Sequence, residues 1–167
     1  MKILLVGEYR DGKPLGTCAE LIEFASRLGG EAAMFLVGSK DSLPNLSGTL
    51  YLADSAGVGE FNPDGHKKLL LEVIAKEQPQ MVAFPHSSYG WDLAPRIALA
   101  LKAAQVSEVV DVTEDALIVP CCNSKLRRQV EVKTAMTVVT LQAGAFTPQN
   151  QVSATPQVIE LSGAEPG

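Results

Sequence analysis

Short aliphatic runs and longer amphipathic stretches alternate along the first two-thirds of the chain. The runs at 3–9, 31–38, 48–54 and 80–85 contain few polar positions, which is typical of parallel strands covered on both faces. Amphipathic stretches follow the first, third and fourth runs and predict helices. This order predicts an α/β fold with a doubly wound, Rossmann-like, mostly parallel sheet.

The first two predicted helices carry start and stop signals. Thr17 and Glu20 have the spacing of a capping box, and Gly29 with Gly30 ends the first helix. Asp64 is expected to cap the second helix. The buried positions predicted for the second helix are Leu69, Leu70, Val73 and Ile74.

The third helix is predicted from Leu93 to Ala104, with Asp92 as its cap and Pro95 in its first turn. Leu99 points away from the main apolar stripe, and Arg96 lies at the edge of the Leu99 side. A helix that is apolar on two sides is buried on two sides, so the Leu99 side is predicted to meet another chain or domain. The stripe expected to face the sheet comprises Leu93, Ile97, Ala100, Leu101 and Ala104.

The last third of the chain reads as closely spaced strands. Runs at 107–112, 116–120, 128–134 and 137–142 are joined too tightly for helices, so the last ones are expected to pair antiparallel. We therefore predict one domain over residues 1–161. We expect residues 162–167 to form a tail or the start of a linker.

Composition and charge narrow the function classes. A chain of 167 residues that is 46% hydrophobic fits one globular domain. Its net charge of −5 argues against nucleic-acid and anionic-membrane binding, although residues 123–133 form a local basic stripe. The longest apolar runs are too short to cross a bilayer, and no signal peptide is recognised, so the expected location is cytoplasmic.

Catalytic and metal-binding patterns are weak. The three cysteines include no C-x-x-C pair, so a zinc site or disulfide scaffold is not predicted. His86 precedes Ser87 and Ser88, but neither H-E-x-x-H nor G-x-S-x-G occurs. We expect no catalysis by this chain alone.

A nucleotide site is one interpretation of the loops that follow the first and fourth strands. Such loops meet at the switch point of a doubly wound sheet, where ligands bind. The candidate residues there are Gly7, Glu8, Ser87, Ser88 and Gly90, with ATP or AMP as the expected ligand. The dinucleotide fingerprint and the P-loop motif are both absent. The alternative is an ordinary capped turn between strand and helix.

The stretch "YGWDLAPRIALAL" followed by "VVDVT" resembles a segment of electron transfer flavoprotein alpha subunits, and "VVTLQAGAF" resembles their Thr-x-Arg-Pro-Gly-x-Phe ending. The resemblance spans about residues 1–161. The chain departs from the family pattern at Trp91, which replaces an arginine, and at Gln142 and Ala143, which replace Arg-Pro.

The resemblance implies the N-terminal domain of an alpha subunit, with an adenine nucleotide alpha hydrolase-like fold. In the family this domain packs against the beta subunit, and FAD is held mainly by a separate C-terminal domain, which we expect this chain to lack. The matched positions, expected to shape the domain and its interface, are Gly90, Asp92, Pro95, Arg96, Gly144 and Phe146. The leading hypothesis is an assembly module for electron transfer that forms a homo-oligomer in isolation. The alternative is a small stand-alone protein that binds ATP or AMP.

Overall fold

The computed structural model describes residues 2–10, 12–54, 63–113, 116–121, 126–130, 136–148 and 155–161. The helices in these ranges are α1 (Thr17–Arg27), α2 (Pro63–Glu77) and α3 (Ser88–Leu101). The strands in chain order are β1 (Lys2–Val6), β2 (Tyr9–Arg10), β3 (Lys13–Pro14), β4 (Glu31–Gly38), β5 (Thr49–Asp54), β6 (Met81–Pro85), β7 (Ala104–Val109), β8 (Asp111–Val112), β9 (Leu117–Cys121), β10 (Leu126–Val130), β11 (Thr137–Leu141) and β12 (Gln157–Glu160).

The main sheet has seven strands in the order β12-β5-β4-β1-β6-β11-β7. Each neighbouring pair in it is parallel. The chain winds outward from β1 through β4 to β5, then returns to place β6 on the other side of β1. The predicted doubly wound α/β sheet is confirmed, and β1 and β6 form its switch point.

Helices cover both faces of the sheet, which explains why the central strands lack polar alternation. In β1, Ile3 and Leu5 pack in the same cluster as α1, whereas Leu4 and Val6 pack with α2 and α3. The four residues predicted to be buried in α2 are all buried. No helix in the described ranges has the length and hydropathy needed to cross a membrane.

Two small antiparallel sheets are attached to the main one. One has the order β10-β9-β8, and the other pairs β2 with β3. Antiparallel pairing of the late strands is therefore confirmed for β8 to β10. It is wrong for β11, which lies parallel between β6 and β7. The excursion through β8, β9 and β10 supplies the long crossover that a parallel neighbour requires.

The predicted capping box of α1 is wrong. Gly16 is the N-cap residue, and among the described residues no side chain caps the first turn. The buried Thr17 hydroxyl has no hydrogen-bond partner in that part of the chain. The Glu20 carboxylate instead accepts a hydrogen bond at 2.5 Å from the amide of Gly144, in the turn after β11. The helix ends as predicted, with Gly29 at φ +67°.

The start of α3 also differs from the prediction. Ser87 has extended backbone, and its hydroxyl accepts a hydrogen bond from the amide of Gly90 at 3.3 Å. Asp92 and Pro95 therefore lie inside the helix, because Ser87 already caps it. Asp64, the predicted cap of α2, likewise lies within that helix.

The faces of α3 agree with the prediction in part. Leu93 and Ile97 are buried against the sheet, and Leu99 is exposed as expected. Ala100 is exposed as well, which corrects its place in the predicted stripe. The helix ends at Leu101, so Ala104, predicted as its last residue, begins β7 instead.

Candidate functional site

The switch point brings the predicted nucleotide-site residues together at one edge of the sheet. Gly7 and Glu8 directly follow β1, and Ser87 lies between β6 and α3. The Ser87 hydroxyl donates a hydrogen bond to the buried Glu8 carboxylate. Ser88 begins α3, and Gly90 lies in the first turn of that helix. The clustering was predictable because loops at the carboxyl ends of adjacent parallel strands meet.

Two of these glycines are required by close packing. A Cβ atom on Gly90 would lie 1.8 Å from the carbonyl oxygen of Pro85. A Cβ atom on Gly7 would lie 2.9 Å from Sγ of Cys18 and 3.1 Å from Sδ of Met34. Both glycines therefore let helices approach the sheet closely, which is a structural role.

A cavity of about 90 Å³ lies beside the switch point. Its lining residues are Gly7, Glu8, Tyr9, Arg10, Val37, His66 and Tyr89. Nδ1 of the buried His66 lies 3.0 Å from the Tyr89 hydroxyl. Burial, and next the negative charge of Glu8, raises the pKa of Tyr89 well above its ordinary value, so the phenol is neutral. Sequence reasoning missed this pair because only the packing of α2 on α3 brings it together.

The cavity is small for a nucleotide. Small-molecule sites usually measure about 300–1,000 Å³, whereas the 90 Å³ found here suits a few water molecules. The buried Glu8 carboxylate would also repel a phosphate group. ATP or AMP binding stays a prediction. The 90 Å³ cavity does not favour it, whereas a wide-open recess of about 620 Å³ adjoins Ser87, with His86, Trp91 and Asp92 in its lining.

A second cluster of polar side chains surrounds His86, which follows β6. Nε2 of His86 lies 2.6 Å from Nε1 of Trp91 and 3.0 Å from a carboxylate oxygen of Glu108. Nδ1 of His86 lies 2.9 Å from the hydroxyl of the buried Thr140. Ser87 turns to Glu8, so the structure does not pair it with His86 as base and nucleophile.

Glu108 occupies an unusual backbone position. Its φ of +58° is in the left-handed region, at the point where the register of β7 shifts against β11. Its amide donates a hydrogen bond at 2.9 Å to the Thr140 hydroxyl. Bulges often redirect side chains, and this one brings the Glu108 carboxylate to His86.

The outer face of α3 exposes two large hydrophobic side chains. Leu99 is 81% exposed and Trp91 is 65% exposed. Arg96 forms ion pairs with Asp64 at 3.2 Å and with Asp92 at 3.4 Å. The predicted interface residues of this helix therefore share one surface with Trp91, and its cation is paired within the chain.

Gly144 and Phe146, the other two predicted interface residues, lie in the segment after β11. Gly144 has φ +82° and is exposed. Phe146 is fully buried, with its ring edge-on to Phe24 at a centroid distance of 5.1 Å. Phe146 thus shapes the domain from its core, and its burial leaves it no surface to offer another chain.

In the described ranges, no three acidic, histidine or cysteine side chains lie close enough to share a metal ion. Burial raises the pKa of the Cys18 thiol to about 11. At neutral pH this thiol is protonated and therefore a weak nucleophile.

Comparison with known proteins gives one family. Residues 3–166 match the model of the electron transfer flavoprotein domain. The electron transfer flavoprotein subunit alpha of Bacillus subtilis (strain 168) is 28% identical over 120 residues, covering 67% of this chain and 37% of that protein. The probable mitochondrial electron transfer flavoprotein subunit alpha of Schizosaccharomyces pombe is 25% identical over 155 residues, covering 86% and 45%.

The chain spans less than half the length of these curated relatives. The family match nevertheless covers nearly all of this chain, including every strand of the main sheet. On this match, the chain belongs to the electron transfer flavoprotein domain family and is related to the alpha subunits.

Proposed function

We propose that this chain is an alpha-type electron transfer flavoprotein domain that contributes assembly rather than catalysis. In this proposal the outer face of α3 docks a beta-type subunit. The observation that carries it is the exposure of Leu99 and Trp91 on one helix. The relatives are named as alpha subunits, and a subunit works in an assembly.

The exposed residues of α3 form a continuous surface. Trp91, Pro95 and Leu99 are spaced four residues apart, so they lie in adjacent turns on the same side of the helix. Burying one such leucine contributes roughly 1.5–3 kcal/mol. Tryptophan and arginine are enriched at interface hot spots. An apolar stripe beside the Arg96 ion pairs therefore has the composition of a docking face.

The flavin belongs to the wider complex in this proposal. The cavity at the switch point measures about 90 Å³, well below the size of a typical cofactor site, and the recess of about 620 Å³ beside His86 is wide open rather than enclosing. We therefore place FAD outside this domain, where it serves electron transfer in the assembled protein. The domain supplies a docking surface to that complex.

Co-expression with the beta-type subunit encoded in the same genome tests the proposal. The wild-type chain is expected to co-purify with that subunit, and Leu99→Glu is expected to abolish the complex because a charge would enter an apolar contact. Ile159→Glu is the matched control, since Ile159 is also exposed, at 38%, but lies on β12 at the far edge of the sheet.

Self-association of the isolated chain is the second readout. Sedimentation velocity is expected to show a homodimer or a mixed population, which Leu99→Glu converts to monomer. The docking proposal fails if Leu99→Glu binds the beta-type subunit as well as Ile159→Glu does, with both variants folded by circular dichroism.

A further inference from the structure

Two side chains lie within hydrogen-bond distance of the same ring nitrogen of His86, Nε2. The indole N–H of Trp91, 2.6 Å away, needs a lone pair on Nε2. The Glu108 carboxylate, 3.0 Å away, needs a hydrogen on Nε2. An imidazole nitrogen carries a lone pair or a hydrogen, never both. The two neighbours therefore compete for Nε2: its lone pair binds Trp91, and a hydrogen on it, which the cationic ring always carries, binds Glu108.

The other ring nitrogen is satisfied in either case. Nδ1 faces the Thr140 hydroxyl at 2.9 Å, and this hydroxyl already accepts the amide hydrogen of Glu108. A hydroxyl has one hydrogen and two lone pairs, so it can still accept from or donate to Nδ1. Thr140 thus holds the ring in place without selecting its protonation state.

We propose that His86 is a proton-operated switch for Trp91. The neutral ring, with its hydrogen on Nδ1, accepts a hydrogen bond from the indole N–H and holds the Trp91 side chain beside His86. The imidazolium ion has hydrogen on both nitrogens, so it binds the Glu108 carboxylate and releases the indole. Histidine ordinarily changes charge between about pH 5 and 8.

Carboxylates on α1, α3 and β7 lie near His86. Glu108 on β7 contacts the ring. Asp92 on α3 and Glu20 on α1 line the recesses that His86 shares with them. Glu8 lies one residue further from His86, because it accepts a hydrogen bond from Ser87, the chain neighbour of His86. These groups are all carboxylates. Asp92 is paired with Arg96 at 3.4 Å, and the described lining of the two recesses contains no lysine or arginine.

The position of Glu108 is built into the backbone. Its left-handed φ of +58° costs energy for a residue other than glycine. The hydrogen bond from its amide to Thr140 holds the bulge. One hydroxyl therefore fixes both His86 and its anionic partner, which is the arrangement that a two-position switch requires.

On the proposed function, the switch also regulates docking. Trp91 lies at the amino-terminal end of the docking face of α3. A fall in pH frees its indole to move, and so changes the surface that the beta-type subunit meets.

The switch is tested on the isolated chain, because Trp91 is its single tryptophan. The indole N–H resonance is followed by NMR from about pH 8 to 5, the range in which histidine titrates. We expect an upfield shift as the hydrogen bond to His86 is lost, and a rise in acrylamide quenching of Trp91 fluorescence. Unchanged resonance and quenching in the wild-type chain would overturn the proposal.

Variants distinguish the switch from nonspecific effects of low pH on the protein. Glu108→Gln is expected to weaken the transition because the cation loses its carboxylate partner, whereas the control Glu160→Gln, at an exposed carboxylate on the distant edge strand β12, should retain it. His86→Gln should abolish it, and if that variant does not fold, Glu108→Gln decides alone. An identical transition in Glu108→Gln and wild type contradicts the switch. If Trp91 is released but the beta-type subunit binds equally at both pH values, the switch stands and its regulation of docking is wrong, while the docking proposal is still decided by Leu99→Glu.

Discussion

At the scale of single residues, the close approach of α3 to β6 depends on Gly90. We predict that Gly90→Ala is strongly destabilising, by about 1–3 kcal/mol or more, because its methyl group would overlap the Pro85 carbonyl and force backbone shifts. Chemical denaturation measures the loss. Gly16→Ala is the control, since a Cβ there meets nothing within 4 Å and only the N-cap preference changes. Equal effects of the two substitutions would contradict the packing interpretation.

Residue positions at the switch point were predictable, but their partners were not. Gly7, Glu8 and Ser87 follow strands whose carboxyl ends must meet in a parallel sheet, so their proximity follows from element order alone. His66 joins the same cavity through α2, and Glu108 reaches His86 through a bulge in β7. Neither contact has a local signal, because helix rotation and strand register arise from packing of the whole domain.

At the scale of elements, the two faces of α3 have different roles: the Ile97 face stabilises the domain, and the Leu99 face is the proposed docking surface. We predict that Ile97→Ala costs about 2–5 kcal/mol of unfolding free energy, because Ile97 is fully buried and the change leaves a cavity. Leu99→Ala should change it by less than about 0.5 kcal/mol, as expected for an exposed position. Thermal melts of the two variants check the difference. Similar losses of melting temperature would show that Leu99 is buried in the isolated chain.

Element boundaries show how competition between local signals is resolved. Asp92 and Ser87 both have capping side chains, and Pro95 favours a helix start near itself. The structure selects Ser87, since the closeness of Gly90 to Pro85 begins the helix directly after β6. Pro95 is accommodated inside α3, where the Trp91 carbonyl loses its amide partner. Tertiary packing therefore decided where this helix begins.

Strand partners were less predictable than strand positions. The run at 137–142 was identified as a strand, but its parallel place between β6 and β7 depends on the excursion through β8, β9 and β10. β12 was not predicted, because it is short and mostly exposed. Its pairing with β5 is set by the open edge of that strand, which is a property of the complete sheet.

At the scale of the whole molecule, β12 closes one edge of the main sheet. It pairs in parallel with β5, and Lys40 forms an ion pair with Glu160 at 2.5 Å. We predict that a chain ending at residue 154 melts at a lower temperature and aggregates, because the edge of β5 becomes available to other chains. A chain ending at Leu161 is the control and should behave as wild type. Light scattering during thermal unfolding distinguishes the two, and equal aggregation would contradict the edge-covering role.

The place of β11 also governs the order of events at the ribosome. Both of its neighbours, β6 and β7, precede it in the chain, so a nascent polypeptide must leave a slot open between them until β11 has been synthesised. Direct pairing of β6 with β7 would block that slot and produce a trapped state. Insertion of β11 is therefore expected to be a late event in folding, and a step at which a chaperone would help.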